Sequence, residues 1–301
     1  MPFFSVVIPT YNREKIIFSA IDSVINQSFR DFEILIIDNG STDNTKNFIL
    51  ESYDDPRVKY IYQNGSGTPA SPRNKGIAES NGKWVCFLDS DDKWSLNKLE
   101  VIFNAIKNNL NIDIICHNER TWDPLDQSVK KLIKYGPDSE YLYKEMLLSG
   151  NRLSTSATCI RKEFLANREL NFHTSRSFCM VEDYNLWLMM ANSGAKFLFI
   201  NEVLGFYRLG NQNLISDKKL FCKNLGNLLK FHTENVQNFQ YDKKKLWKKL
   251  KIRSQICNIR YSNKSWFIRL FKFLTLFIKN PISFLYTLSI YLKRIINGSF
   301  F

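Results

Sequence analysis

The feature that most constrains this chain is a repeated exchange, across its N-terminal part, between short apolar runs and stretches with helical spacing. Phe3 to Ile8, Phe32 to Ile37, Val58 to Tyr62, Lys83 to Leu88 and Ile112 to Cys116 are short and rich in Val, Ile and Phe, as buried strands are. Between them, Ile16, Ile17, Ala20, Ile21, Val24 and Ile25 recur on one helix face, as do Leu99, Ile102, Phe103 and Ile106. This alternation predicts an α/β fold, a Rossmann-like, mostly parallel sheet flanked by helices on both faces. Ligands of such sheets bind beyond the carboxyl ends of the strands. The polar residues that follow each run are therefore the candidates for function.

With 301 residues, 44% of them hydrophobic, the chain is long enough for a full α/β core and further elements around it. Its net charge of +13 is unevenly placed. From Asp217 to Phe301 there are 18 basic and 3 acidic residues, a net of +15, which leaves −2 for residues 1 to 216. A boundary near Leu214 to Asp217 follows, with a helical, basic, aromatic-rich region over 215–301. There Lys243-Lys244-Lys245, Lys248, Lys249, Lys251 and Arg253 precede Trp266 to Leu274, Phe284-Leu285-Tyr286 and Tyr291-Leu292-Lys293-Arg294. Arg269, Lys272, Lys279 and Pro281 interrupt the apolar stretches, so none attains the roughly 20 residues of a spanning helix. An interfacial helix against anionic lipid fits this mixture, and an amphipathic helix packed on the rest of the chain or on a second subunit is the competing reading. A nucleic-acid-binding tail would leave the N-terminal carboxylates without a purpose, so no nucleic-acid partner is expected.

The six cysteines are scattered without metal-ligand spacing, which predicts reduced, buried thiols in a cytosolic protein. No basic n-region or cleavage site precedes the first run, so no secretory signal is expected.

Pro9-Thr10-Tyr11-Asn12-Arg13 follows the first run and Asp38-Asn39-Gly40-Ser41-Thr42-Asp43 the second. Ser41 or Thr42 suits the N-cap of the next helix, but capping does not account for Asp38, a carboxylate ending an apolar run. Asp38 is read as an acceptor of hydrogen bonds from a ligand, against a solvated strand end as the alternative. Asn64 to Gly76 holds Gly65, Gly67, Pro69, Pro72, Arg73 and Asn74, a turn suited to close backbone approach by a phosphate or base. It contains neither GxxxxGK[ST] nor GxGxxG, and so is neither an ATP-type loop nor a dinucleotide fingerprint. Val85-Cys86-Phe87-Leu88 then runs directly into Asp89-Ser90-Asp91-Asp92. Clustered carboxylates repel unless solvent or a hard cation neutralises them, and oxygen ligands suit Mg²⁺ or Mn²⁺ on a diphosphate. An acidic turn capping a helix at Ser95 is the alternative.

Taken in order, these residues resemble the family 2 glycosyltransferases with the GT-A fold. Ser5 to Asn12, Glu33 to Asp38 with Gly40 to Asp43, Arg73-Asn74-Lys75-Gly76-Ile77, Phe87 to Asp92 and Glu182-Asp183-Tyr184 carry the likeness, over roughly the first 210 residues. The resemblance implies a catalytic domain over 1–214, with nucleotide-sugar binding in about 1–120 and the acceptor side in about 121–214. It implies that Pro9, Tyr11, Asp38 and Arg73 surround nucleobase and ribose, that Asp89 contacts sugar or ribose, and that Asp91 ligates the metal, Mn²⁺ or Mg²⁺. Thr10, Asn12 and Ser90 join them as donor contacts, and Asn39, Asn74 and Asp92 as further candidates. Arg208, after Phe206-Tyr207, would add charge near the phosphates; a surface arginine after a strand is the alternative.

Glu182-Asp183 opens the apolar run Leu186 to Ala191, where two acids also complement a helix dipole. The resemblance implies that Asp183 is the general base and Glu182 a supporting residue. His117, His173 and His232 form no hydrolase arrangement. The reaction implied is an inverting transfer from a nucleoside diphosphate sugar, a UDP-sugar by resemblance, to a hydroxyl of a glycan or lipid-linked glycan in bacterial surface-polysaccharide assembly. A cytoplasmic enzyme, peripheral at the inner face of the cell membrane and open to homo-oligomerisation, is the corresponding expectation. A sugar nucleotidyltransferase would need a basic glycine-rich loop near the N-terminus, which Pro9 to Arg13 is not. A nucleotide-binding or membrane-scaffold protein would have no use for the acid triplet.

Overall fold

The computed structural model describes residues 1–210, 217–237, 242–262 and 265–296, with side chains as far as Ser289. Most of the boundary expected at Leu214 to Asp217 lies outside the described residues, as do the side chains of Tyr291, Leu292, Lys293 and Arg294.

Four strands, β1 (Phe4–Thr10), β2 (Phe32–Asp38), β3 (Val58–Tyr62) and β4 (Trp84–Phe87), form a parallel group in the order β3-β2-β1-β4. The chain steps outward from β1 to β3 and returns to β4 on the other side of β1, which opens a crevice at the strand ends. Beyond β4 come β8 (Thr158–Arg161), β6 (Ile114–Trp122), β9 (Phe197–Arg208) and β5 (Lys93–Trp94), with β7 (Val129–Ile133) on β6. Here β8 is antiparallel to both neighbours, β7 to β6 and β5 to β9, while β9 is parallel to β6. The expected mostly parallel sheet therefore holds for the first half, and the second half is mixed. An apolar run reports burial on both faces and carries no sign of direction.

Period-two alternation divides the strands between two cores. Phe4, Val6, Ile8, Ile34, Ile36, Trp84 and Cys86 pack against α1 (Ile17–Ile25), α2 (Thr45–Ser52) and α4 (Lys98–Asn108). Val7, Leu35, Ile37, Val85 and Phe87 face a core built with α3 (Ala70–Glu79), α5 (Leu142–Ser149), α6 (Lys162–Asn167) and α7 (Glu182–Asn192). Two later helices, α8 (Lys218–Phe231) and α9 (Lys243–Arg260), join that second core through Leu225, Leu228, Leu246 and Leu250. The last two, α10 (Trp266–Lys279) and α11 (Pro281–Ile296), pack on α9.

Gly76 lets α3 lie directly on β1, since a β-carbon there would stand 2.2 Å from a Val7 methyl. Cys222 of α8 and Cys257 of α9 form a disulfide, which corrects the expectation of reduced thiols throughout. Their separation of 35 residues gave no framework pattern; side-by-side packing of α8 and α9 brings them together. Cys86, Cys116, Cys159 and Cys179 are free and buried.

Candidate active site

Parallel register sets Thr10 beside Asp38, so the loops after β1 and β2 emerge together. Asn12, with φ of 51°, knits them: its Oδ1 accepts from Thr42 N at 2.8 Å and its own N–H donates to Ser41 Oγ at 2.9 Å. Ser41 and Thr42 are thus loop fasteners, and the capping role expected of them is not seen, because α2 starts at Thr45 behind Asn44. Asp38 is fully buried, accepting from Tyr60 Oη at 2.6 Å and Ser41 N at 2.8 Å. Its neighbours Asn39 and Gly40 line the cleft and Asp38 does not. Asn39 Oδ1 holds Gln63 and Ser66, and Gly40 (φ 87°) passes so close to Gly65 that a β-carbon would meet its nitrogen at 2.7 Å.

Arg73, on the first turns of α3, is buried and bridges two acids: it donates to Asp89 Oδ1 and to Glu182 Oε1, each at 2.7 Å. Burial works against its charge, and the two carboxylates more than offset it, raising its pKa. The adjacent Asn74 exchanges hydrogen bonds with the Phe172 backbone at 2.8 and 2.9 Å, holding the segment before α7 rather than lining the cleft.

The acid turn after β4 divides its labour. Asp92 is buried, accepting from Ser156 Oγ at 2.6 Å and from the Arg208 backbone N–H at 2.9 Å. Ser156 also receives the Asp89 N–H, and its carbonyl accepts from Trp94 Nε1 and from the fully buried Lys98 ammonium at 2.8 Å. Burial drives the Lys98 pKa down to about 8. Asp89, Ser90 and Asp91 line the cleft. Among the described residues no side chain hydrogen-bonds to the Asp91 carboxylate. Burial, then Asp89, pushes its pKa up, against the pull of Arg13 and Arg208. The alternative of a turn capping a helix at Ser95 is not realised: α4 begins at Lys98 with Asn97 before it.

Glu182 and Asp183 stand in the first turn of α7. Asp183 Oδ1 accepts from Tyr184 N at 2.6 Å and Oδ2 lies 3.4 Å from Thr155 Oγ1. Its pKa is pushed up to about 7 by burial and then by Glu182, with Arg73 and the Tyr184 N–H opposing. The Tyr184 hydroxyl donates to Met146 O at 2.6 Å and accepts from Arg253 of α9 at 3.3 Å.

These parts surround one cleft of about 1020 Å³. Pro9, Thr10, Tyr11, Asn12, Asn39, Arg73, Asp89, Ser90 and Asp91 line it, as do Glu182 and Asp183, with Glu182 brought next to Asp89 by Arg73. Thr10 Oγ1, Thr68 Oγ1, Arg73 Nε and Glu182 Oε2 are buried polar atoms of cleft residues with no hydrogen-bond partner among the described residues. Such atoms are costly in a closed interior. Sequence reading missed Tyr60, Ser156 and Lys98, whose roles arise from contacts between distant segments, and Arg253, which lines the cleft from α9. Arg176 also lines it, whereas His173 stacks on Phe178 at 4.0 Å. His117 and His232 are buried in the core.

The model for glycosyl transferase family 2 matches residues 5–117. An uncharacterised glycosyltransferase of Haemophilus influenzae is 30% identical over 72% of this chain and 84% of its own length. The chain belongs to glycosyl transferase family 2. A Campylobacter jejuni protein named GalNAc(5)-diNAcBac-PP-undecaprenol beta-1,3-glucosyltransferase is 29% identical over 96% of this family 2 chain and 94% of its own. Among solved structures, residues 1–349 of Staphylococcus aureus TarS in complex with UDP-GlcNAc superpose with a TM-score of 0.64 at 21% identity, over 87% of this chain and 74% of that one. The GT-A fold and the glycosyltransferase class expected from the motifs are thereby established.

The donor set of this transferase fits a divalent metal held jointly with substrate. No three His, Cys, Asp or Glu groups converge as a complete cage among the described residues. Asp91 lines the cleft with its carboxylate hydrogen-bonded to no side chain among the described residues, and Mg²⁺-type ions take one or two carboxylates plus substrate phosphates.

Proposed function

We propose that this chain transfers a sugar from a nucleoside diphosphate donor, a UDP-sugar, to a hydroxyl of a lipid-linked glycan, with inversion at the anomeric carbon. The reading is supported above all by Arg73, which ties Asp89 on the donor side to Glu182 beside Asp183, so that both halves of the cleft share one buried cation. The names of the Campylobacter relative and of the TarS complex supply the substrate classes. The acceptor is met at the inner face of the membrane, in surface-polysaccharide assembly.

In this mechanism Asp183 takes the proton from the acceptor hydroxyl. The oxygen attacks the anomeric carbon from the face opposite the diphosphate, the bond from that carbon to the diphosphate oxygen breaks, and the nucleoside diphosphate leaves with the electron pair. Asp91 would hold Mn²⁺ or Mg²⁺, and the ion, when bound, offsets charge on the leaving diphosphate. Arg13 and Arg208 add positive charge around Asp91. Arg73 fixes Glu182, and burial together with the nearby Glu182 keeps Asp183 basic enough to accept a proton near neutrality. Pro9, Thr10, Tyr11, Asn12, Asn39 and Ser90 are assigned to the donor, with Asp38 acting through the loop it holds.

The test is hydrolysis and binding across UDP-, GDP-, CMP- and dTDP-sugars with Mn²⁺, for the native chain and Asp91→Ala. Metal-dependent turnover of one nucleotide sugar, lost in the variant, is expected. Absence of binding to every nucleotide sugar would end this reading.

A further inference from the structure

Helix α10 carries two apolar sides. Phe273, Leu276 and Phe277 turn inward and, with Phe284 of α11, cover Ile252 and Ile256 of α9. On the other side Phe267, Phe271, Leu274 and Ile278 recur at steps of three and four residues, one continuous stripe, and all four are exposed. Phe271 and Ile278 are 71% and 75% accessible. Ile282, Leu285 and Leu288 of α11 extend the exposed apolar surface. A helix that is apolar on opposite sides has room for a second apolar phase beyond the protein's own core. No described helix is long and apolar enough to cross a membrane, so a bilayer would receive this surface lying in its interface.

Charge selects the occupant. Residues 217–301 hold 18 basic against 3 acidic side chains. Lys272 and Lys279, both exposed, stand two turns apart beside the apolar stripe of α10. On α9, Lys243, Lys244, Lys245, Lys248 and Lys251 are exposed as well, and Lys249 reaches over the Tyr286 ring at 4.8 Å. A second copy of the chain would set two strongly cationic surfaces face to face, which like-charge repulsion opposes. Anionic phospholipid headgroups complement the same surface, and lysines beside an apolar stripe reach them while their stems stay on the hydrocarbon.

We propose that α10 and α11 form a monotopic hairpin that seats this chain on an anionic lipid bilayer, with Phe267, Phe271, Leu274, Ile278 and Ile282 entering the acyl boundary. Helix α9 joins this surface to the cleft. Its Ile252 and Ile256 hold the hairpin, while Arg253 between them lines the cleft and donates to Leu147 O at 3.0 Å. The hairpin thereby delivers the cleft to a lipid-linked acceptor, a consequence that rests on the proposed transferase reaction although the seating itself does not.

The test is flotation of the full chain with phosphatidylcholine vesicles, with and without about 30% phosphatidylglycerol. Co-flotation with the anionic vesicles only is expected. The double variant Phe271→Ser and Ile278→Ser should lose at least about tenfold in partitioning, and Lys272→Glu about fivefold, while donor hydrolysis without vesicles stays at the native level and certifies the fold. No flotation with anionic vesicles overturns the proposal, as does equal flotation of the double variant. A dimer in solution that the double variant dissolves assigns the face to a second copy and overturns it too. Flotation without hydrolysis of any nucleotide sugar would leave the seating standing and remove the transferase reading instead.

Discussion

The turn after β4 and the first turn of α7 each carry adjacent carboxylates, and the two regions use them in the same way. In each, one acid is bound to the scaffold and its neighbour lines the cleft, although at α7 the bound acid, Glu182, lines the cleft as well. Asp92 is committed to Ser156 and the Arg208 backbone, which leaves Asp91 to the cleft. Glu182 is committed to Arg73, which leaves Asp183. The partners differ in kind. Asp92 is held by neutral donors in a dry environment, so burial and the surrounding acids raise its pKa well above the ordinary range. Glu182 is paired with a full cation that also reaches Asp89. A neutral clamp fixes only local geometry, whereas a shared cation couples one side of the cleft to the other.

Substitutions can break this symmetry. The largest effect is expected from Asp183→Asn, which removes the proposed base: transfer should fall by about 10²–10⁴-fold with donor binding retained. Unchanged turnover in a steady-state assay would exclude Asp183 as base. Next, Arg73→Met leaves Asp89 and Glu182 facing each other unpaired, a cost of about 3–5 kcal/mol by analogy with broken buried pairs. Urea unfolding should show that loss together with weaker donor binding, and a loss of turnover alone would contradict the coupling.

A pH profile sharpens the comparison. With Asp183 pushed up to about 7, kcat/KM should rise as pH passes through about 7 and then level off. The stability effect has the opposite sign. A carboxyl whose folded pKa exceeds its ordinary 3.8 favours the fold most at low pH and loses that contribution as pH rises towards 7. Asp183→Asn should therefore melt above the native chain at pH 8, and the gain should vanish by about pH 4. The smallest effect is expected of Asp92→Asn, since an amide resembles the protonated acid. Calorimetry should find a change within about 1 kcal/mol at acid pH and a modest gain at higher pH.

Which strand-end residues line the cleft was legible because a parallel sheet converts sequence order into place. A strand end followed by Pro9 to Asn12, or by Asp89 to Asp91, meets the crevice wherever its strand is buried. What stayed hidden depends on contacts between segments. Ser156 is one of several hydroxyl residues in a row until the segment entering β8 sets it beneath the acid turn. Arg253 sits in a lysine-rich helix that reads as surface, yet it reaches the cleft because α9 packs against α5 and α7. Asp38 was read as an acceptor from a ligand; it is buried and accepts from Tyr60 and Ser41, and the distant Tyr60 left no trace near Asp38 in the sequence.

Gly76 does not line the cleft, yet it sets how near α3 comes to β1, and Arg73 rides on α3 one turn earlier. A survey of variants scored by activity alone would rank this glycine with the acids proposed for catalysis. The same survey scored by abundance would rank it with the core. Its place in both rankings would identify a position where the spacing of the backbone, and no functional group, is the inherited trait.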